Sequence, residues 1–260
     1  MVKTNTVTVP AVERALSVLE LVVQSNQGLS MSELSRRIDV PKSSLHLIMT
    51  TLEKRGYLQK NLHTRRYRFG LRIVSLSRRA IASLELREEA APCLRALMQD
   101  TRLTVHMAVL ELNEAVIVEK IEPLGSVRVA TWIGRRMDVN CTAIGKALIA
   151  AHTETDIQHM FRTGGMVRRN EWTIISLKSL LRELEQVRKQ GYSIDDEEDE
   201  MGFRCVGAPI FNSNRRVAAA ISVSGTVDQI PFAALTALGR KVKQTAARIS
   251  LRFRDSEPLL

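Results

Sequence analysis

The 260-residue sequence contains no run of eighteen apolar residues, so a membrane-spanning helix is not expected. Its first ten residues, MVKTNTVTVP, lack the apolar centre of a secretory signal. Only three cysteines occur, Cys93, Cys141 and Cys205. An odd number, far apart, argues against a disulfide framework and fits a reducing cytoplasm. No G-x-S-x-G surrounds a serine and no H-E-x-x-H is present. The five histidines (His46, His63, His106, His152, His159) form no metal-ligand spacing with the cysteines. Neither an activated nucleophile nor a metal is visible, so the sequence gives an enzyme little to work with, and no cofactor is expected. G-K-A at residues 145–147 lacks both the partner glycine and the hydroxyl of a phosphate loop. Internal repeats and low-complexity segments are also absent.

Charge is present in excess and is unevenly placed. The formal net charge is +10. Residues 1–87 hold 15 Lys and Arg against 6 Asp and Glu, whereas residues 88–260 hold 23 against 22. A positive field confined to one module is the electrostatic footprint of a nucleic-acid partner. Anionic membrane is the competing partner, but no Lys-rich, aromatic amphipathic helix accompanies the charge.

Within that basic segment, residues 29–55 read as two short helices joined by a tight turn. Ser32 is the expected N-cap of the first, which runs to about Ile38 with Glu33 in its first turn. Asp39, Val40 and Pro41 break the chain, and a second helix follows from Lys42 to about Arg55, stopping at Gly56. Leu45, Ile48, Met49 and Leu52 give it a core-facing stripe. The opposite face carries Ser43, Leu47, Thr50 and Lys54, flanked by Lys42, Ser44, His46 and Thr51. Short hydroxylated side chains with cations and no acid before Glu53 suit a helix lying in the DNA major groove, although the same face would also suit plain solvation. Residues 57–70 alternate as a hairpin, with Tyr67 and Phe69 on one side and Arg66 and Arg68 on the other. A basic hairpin after a helix-turn-helix is a wing, so Arg65, Arg66 and Arg68 are candidate phosphate or minor-groove contacts.

Residues 12–24 form the supporting first helix, with Leu16, Leu19, Val22 and Val23 on one face and Gly28 as its end. After the wing, Ile73, Leu76, Ala80 and Leu84 continue at near-helical spacing, and a long helix between two domains suits pairing with its own copy. From Ala91 onward helices and strands mix. A helix at 93–101 precedes strands at 105–112 and 115–122, joined at Asn113-Glu114. Another strand is expected at 127–133 and a helix capped by Thr142 after it. Helices follow at 156–161 and 177–189, strands at 192–199, 207–212 and 217–227, and a closing helix at 232–253. This order indicates an α+β sensor-like domain. The start of the Thr142 helix, with Ala143, Ile144 and Gly145, is a natural anion site, or else simply a capped helix packed through Gly145. The acidic run 195–200 reads first as a solvated loop and lacks the glycine of a calcium loop.

RALSVLEL, GLSMSELSRRIDVPKSSLHLIMTTLEKRGYL, RRYRFGLRI, NCTAIGKALIA, DDEEDEMGFRCVGAPIF and AAAISVSG occur in this order. Over nearly its whole length the chain thereby resembles the IclR family of bacterial transcriptional regulators. The resemblance implies a winged helix-turn-helix at 1–70, a dimerising linker at 71–90 and a GAF-like (profilin-like) α+β effector-binding domain at 91–260. It also implies double-stranded operator DNA and a small organic effector as partners, in a homodimer or homotetramer, with Asp195, Cys205, Ser222 and Ser224 lining the effector pocket and Glu198 with Gly202 shaping a turn. Ser222 and Ser224, two apart on one strand, share a face. Two positions depart from the family pattern. Leu47 stands where Arg is frequent, presenting an apolar side chain suited to a thymine methyl, and Asn140 stands where His or an aromatic is commoner. The hydroxyls and the helix start favour a carboxylate effector, and Asp195 favours one that also bears a hydroxyl. The rival expectation is a small-molecule-binding or enzymatic protein whose winged helix serves protein contacts, a role that gives no reason for the localised positive charge.

Overall fold

The computed structural model describes residues 8–38, 40–82, 85–125, 127, 129–162 and 164–256. The chain forms two compact units, Met1–Ser83 and Leu84–Leu260. The division falls inside the stretch read from sequence as one linker: α4 (Leu71–Ala82) belongs to the first unit and α5 (Glu85–Thr101) opens the second. Asp39 of the predicted helix break and Leu84 of the linker stripe lie outside the described residues.

The first unit contains α1 (Pro10–Val23), α2 (Met31–Arg37), α3 (Lys42–Lys54) and a hairpin of β1 (Leu58–Lys60) and β2 (Tyr67–Phe69), followed by α4. Val18, Val22, Leu34, Leu45, Met49, Leu58 and Tyr67 make its core. Helix α1 is rotated from the expected face: Val18 and Val22 are buried, while Leu16 and Val23 are exposed. The apolar residues of α1 permit two overlapping stripes, and only packing against α3 and β2 selects one. The helix ends at a Gln24 cap, before Gly28. Gly28 instead has a φ of 75° and a missing Cβ that would meet the Tyr67 carbonyl at 2.5 Å, so glycine permits the bridge between Leu29 and Tyr67. The N-cap of α2 is Ser30, two residues before the expected Ser32; its Oγ accepts from Glu33 N, and the Glu33 carboxylate accepts from Ser30 N. This reciprocal pairing satisfies two otherwise orphaned donors. Accepting from Ser30 and pairing with Arg66 holds Glu33 down at about 2.

The second unit is a six-stranded antiparallel sheet in the order β5-β4-β3-β8-β7-β6, with helices on both faces. Its strands are β3 (Thr104–Glu111), β4 (Glu114–Ile121), β5 (Arg136–Asp138), β6 (Ser193–Asp196), β7 (Phe203–Phe211) and β8 (Val217–Thr226). α5 and the closing α9 (Leu235–Ser256), preceded by a 3-10 turn at Phe232–Ala234, cover one face. α6 (Ala143–Ile149), α7 (Glu154–Phe161) and α8 (Leu177–Gln190) cover the other. Because both faces are covered, β8 alternates two buried sets: Ala219, Ile221 and Val223 against α5 and α9, and Ala220, Ser222 and Ser224 on the α6 side.

Three expectations are corrected. α5 runs through Pro92 instead of starting after it; Pro92 is exposed, so the Glu88 carbonyl it leaves unpaired faces water. The β3–β4 turn is Leu112-Asn113, both at positive φ, one residue earlier than expected. Among the described residues of 127–133 no strand forms, and β5 lies instead at Arg136–Asp138. The segment before β5 is held off the sheet by Lys120, whose Nζ donates to the carbonyls of Val129 (2.9 Å) and Thr131 (2.8 Å).

Candidate functional site

α3 begins without a side-chain cap, because Pro41 occupies the N-cap, and it has no acid in its first turn. Its opening N–H groups and dipole are therefore open to an anion. Lys42, Ser43, His46, Thr51 and Lys54 are exposed, and Ser44 and Thr50 are half-buried. Leu47 is 69% exposed, an apolar side chain on the polar face. In the wing, Asn61 Oδ1 accepts from His63 N and Thr64 N at 2.9 Å, closing the turn. Arg65 follows in the left-handed region (φ 58°), and both Arg65 and Arg68 are exposed. Arg66 differs from the other two. It donates to the Gly28 carbonyl at 2.7 Å and pairs with Glu33 at 3.0 Å, latching the wing to α2. Arg68 Nε reaches the Gln27 carbonyl at 3.4 Å but makes no ion pair among the described residues, so geometry separates two exposed cations from one spent on a salt bridge, a distinction the sequence alternation did not contain.

In the second unit a cleft enclosing about 540 Å³, its solvent-facing mouth included, opens on the α6 face of the sheet. Thr142, Ala143, Ile144, Asp195, Cys205, Ser222 and Ser224 line it. Register explains the clustering: Asp195, Cys205, Ser224 and Thr104 are cross-strand neighbours in one row, and Gly207, Ser222 and His106 in the next. Gly145 does not line the cleft. A Cβ there would meet Val139 Cα at 2.5 Å, so Gly145 lets α6 sit on its own approach segment. Gly207 does the same for the sheet, since a Cβ would meet the Ala143 carbonyl at 2.6 Å.

The sequence reading missed His106, Thr131, Arg135, Met137, Asp199 and Phe203 in the lining. His106 was visible only as a lone histidine on an apolar strand. It is buried, with Nε2 2.7 Å from Thr131 Oγ1 and Nδ1 3.5 Å from Ser224 Oγ. Burial, reinforced by Lys120 and Arg135, pulls it down to about 3, so it is a neutral hydrogen-bonding group. Burial pushes Asp195 up to about 8 against the pull of Lys146. Asp195 Oδ1 accepts from Glu198 N at 2.9 Å. Burial also raises the Cys205 and Cys141 thiols, which are not poised as thiolates.

The acidic run is not a solvated loop. Asp195 is buried, the residues from Asp196 to Asp199 are half-buried, and residues 167–174 cross over them. Asn140 lies outside the pocket and donates to the Val167 and Ile174 carbonyls, anchoring that crossing segment. Gly202 N donates to Glu197, not Glu198. Glu198 turns inward to Lys146, whose side chain is 0% exposed and also pairs with Glu183 at 3.2 Å. Asp138, Cys141 and Asp199 lie close enough together to suggest a metal. Arg169 pairs with both carboxylates and neutralises them.

A winged helix-turn-helix with an open basic face, joined in one chain to an α+β unit with a polar-floored pocket, defines a DNA-binding transcription regulator. The family model for the IclR helix-turn-helix domain matches residues 11–62, and that for the bacterial transcriptional regulator IclR C-terminal matches residues 78–251. The chain therefore belongs to the IclR family of bacterial transcriptional regulators. It is 33% identical to the HTH-type transcriptional regulator XynR of Escherichia coli over 93% of this chain and 96% of that one. It is 30% identical to the transcriptional repressor IclR of the same species, over 94% and 90%. The IclR crystal structure from Thermotoga maritima superposes with a TM-score of 0.76 at 27% identity, covering 94% and 99% of the two chains. An IclR homologue from Microbacterium hydrocarbonoxydans complexed with 4-hydroxybenzoate has the same fold, with a TM-score of 0.82 at 23% identity over 95% and 100%. These relatives are named as transcriptional regulators, and the chain is a regulator and not an enzyme. Among the described residues no helix is long and apolar enough to cross a membrane.

Proposed function

We propose that the protein is a cytoplasmic, homodimeric or homotetrameric regulator. Its affinity for operator DNA would be set by a small organic acid bound in the cleft of the second unit, with α4 and its copy contributing to the dimer. The observation that carries the reading is the cleft floor, where Ser222, Ser224, Cys205, Asp195 and His106 converge beneath an apolar wall. Few buried polar groups under apolar walls is the pattern of a ligand site. The 4-hydroxybenzoate held by the homologue of the same fold supports an acid of this size. Calorimetry of the full chain against hydroxy and keto acids tests it. Ser222→Ala with Ser224→Ala should weaken a bound acid by roughly tenfold or more. Ligand should also shift operator affinity by about 1–3 kcal/mol, with the reciprocal effect of operator on ligand. A ligand indifferent to both serine changes would place its site elsewhere.

For the DNA interface, we propose that Lys42, Ser43, Ser44, His46, Leu47 and Thr50 face the major groove while Arg65 and Arg68 hold phosphates. Arg65→Ala and Arg68→Ala should each weaken binding to every sequence and reduce the slope of log K against log salt by about 1. Leu47→Ala or Thr50→Ala should instead alter base preference by roughly 1–3 kcal/mol. Arg66→Ala should lower the melting temperature, because it releases the wing from Glu33. Identical behaviour of all these variants on operator and random DNA would refute the division of labour.

A further inference from the structure

The cations surrounding the cleft are not equivalent. Lys120 is consumed by two carbonyls and by Glu122 at 2.8 Å. Arg169 is consumed by Asp138 and Asp199. Lys146 lies behind the lining, paired with Glu183 and Glu198. Arg135 is a lining residue and, among the described residues, its guanidinium meets neither a carboxylate nor a carbonyl. It rests on the Trp132 ring, 5.2 Å from the centroid, a contact that leaves its N–H groups free to take an incoming acceptor. Its backbone is fixed to the sheet, Ile117 N donating to the Arg135 carbonyl at 3.0 Å and Gly134 N to the Ile117 carbonyl at 2.7 Å. Among the described residues the cation is thus half-buried, anchored through its backbone and without a contacting carboxylate, while its charge still reaches Asp199.

We propose that Arg135 is the anchor for the ligand's carboxylate, and that the pocket selects acids with a single carboxylate, an apolar body and a hydroxyl or carbonyl directed at the serine row. This rests on the reading of the cleft as the effector pocket. The apolar body is matched by Ile117, Val129, Ala130, Met137, Ile144 and Phe203. The single charge follows from the balance of the lining. Among the described lining residues Arg135 is the one cationic side chain, Asp195 keeps its proton and Asp199 is paired with Arg169, so a second ligand carboxylate would find no cation and would face Glu200. The start of α6 is a weaker anchor, because the helix has only seven residues and Thr142 Oγ1 already takes the Gly145 N–H at 3.1 Å.

The test is calorimetry of the full chain with benzoate, 4-hydroxybenzoate and 3-hydroxybutyrate, each beside its uncharged amide. At least one acid should bind roughly 10- to 100-fold more tightly than its amide, the range of a charge-assisted hydrogen-bonded pair. Arg135→Gln should erase that preference by weakening the acid while leaving the amide unchanged, and Arg135→Lys should retain much of it. Equal binding of acid and amide to the unaltered protein would overturn the anchor while leaving the pocket intact. So would an equal loss of both in Arg135→Gln, which would mark a structural role. If no acid and no amide bound, the pocket reading itself would fall, and the anchor with it.

Discussion

Lys146→Met is expected to destabilise the second unit by about 3–5 kcal/mol, the range for removing one partner of a buried ion pair. Lys146 is wholly enclosed, and burial alone would drive its proton off. The carboxylates of Glu198 and Glu183 outweigh that effect and hold it charged, above the ordinary lysine value. Removing the ammonium leaves Glu198 buried without a counter-charge, and its Oε2 already has no hydrogen-bond partner among the described residues. Burial has pushed Glu198 up to about 7, so it can escape the penalty by taking a proton. The cost should therefore shrink toward about pH 5 and be largest near pH 8. Adding Glu198→Met should recover most of the loss, since an apolar pair of similar volume is close to neutral. Urea unfolding at both pH values measures all of this. A loss of under about 1 kcal/mol at every pH would mean that the pair is hydrated and contributes little.

Asp195→Asn is expected to raise stability, and only above acidic pH. The carboxyl ionises near 3.8 in its unperturbed state but keeps its proton to about 8 in the folded protein. Between those values the native state binds more protons than the unfolded chain, so this group makes stability fall as pH rises, and the penalty is complete above the folded value. Asparagine escapes the penalty, and its Oδ1 can still accept from Glu198 N. The variant should match the parent near pH 4 and exceed it by roughly 2–4 kcal/mol at about pH 8. The same shift bears on the proposed function, because a protonated Asp195 can donate to a ligand hydroxyl where an ionised one would repel an acid. An equal difference at both pH values would show that Asp195 is ionised throughout.

The sequence by itself determined most of the elements and their order, β5 excepted, because these are written in local chemistry. The stripe Leu45, Ile48, Met49 and Leu52 makes α3 amphipathic, and Pro41 and Gly56 bracket it. Thr142 caps α6, and the two-residue period of ISVSG puts Ser222 and Ser224 on one side of β8. The concentration of positive charge before residue 88 identified the DNA-binding unit without any coordinates. What tertiary structure alone decided is which of several locally equivalent residues does which task. Ser30 and Ser32 both precede Glu33 or adjoin it, but only Ser30 exchanges hydrogen bonds with it. Arg65, Arg66 and Arg68 are alike in sequence, yet Arg66 finds Glu33 thirty-three positions away and is spent on the latch. Residues 127–133 alternate like a strand in sequence, but Lys120 takes the carbonyls of Val129 and Thr131, and Val129, Ala130 and Thr131 wall the cleft instead. His106, Arg135 and Asp195, spread over 89 positions of the chain, are brought to one cavity by antiparallel register and loop closure. Burial and unsatisfied charge arise from such long-range neighbours, so they set the pocket's chemistry without leaving a local pattern to read.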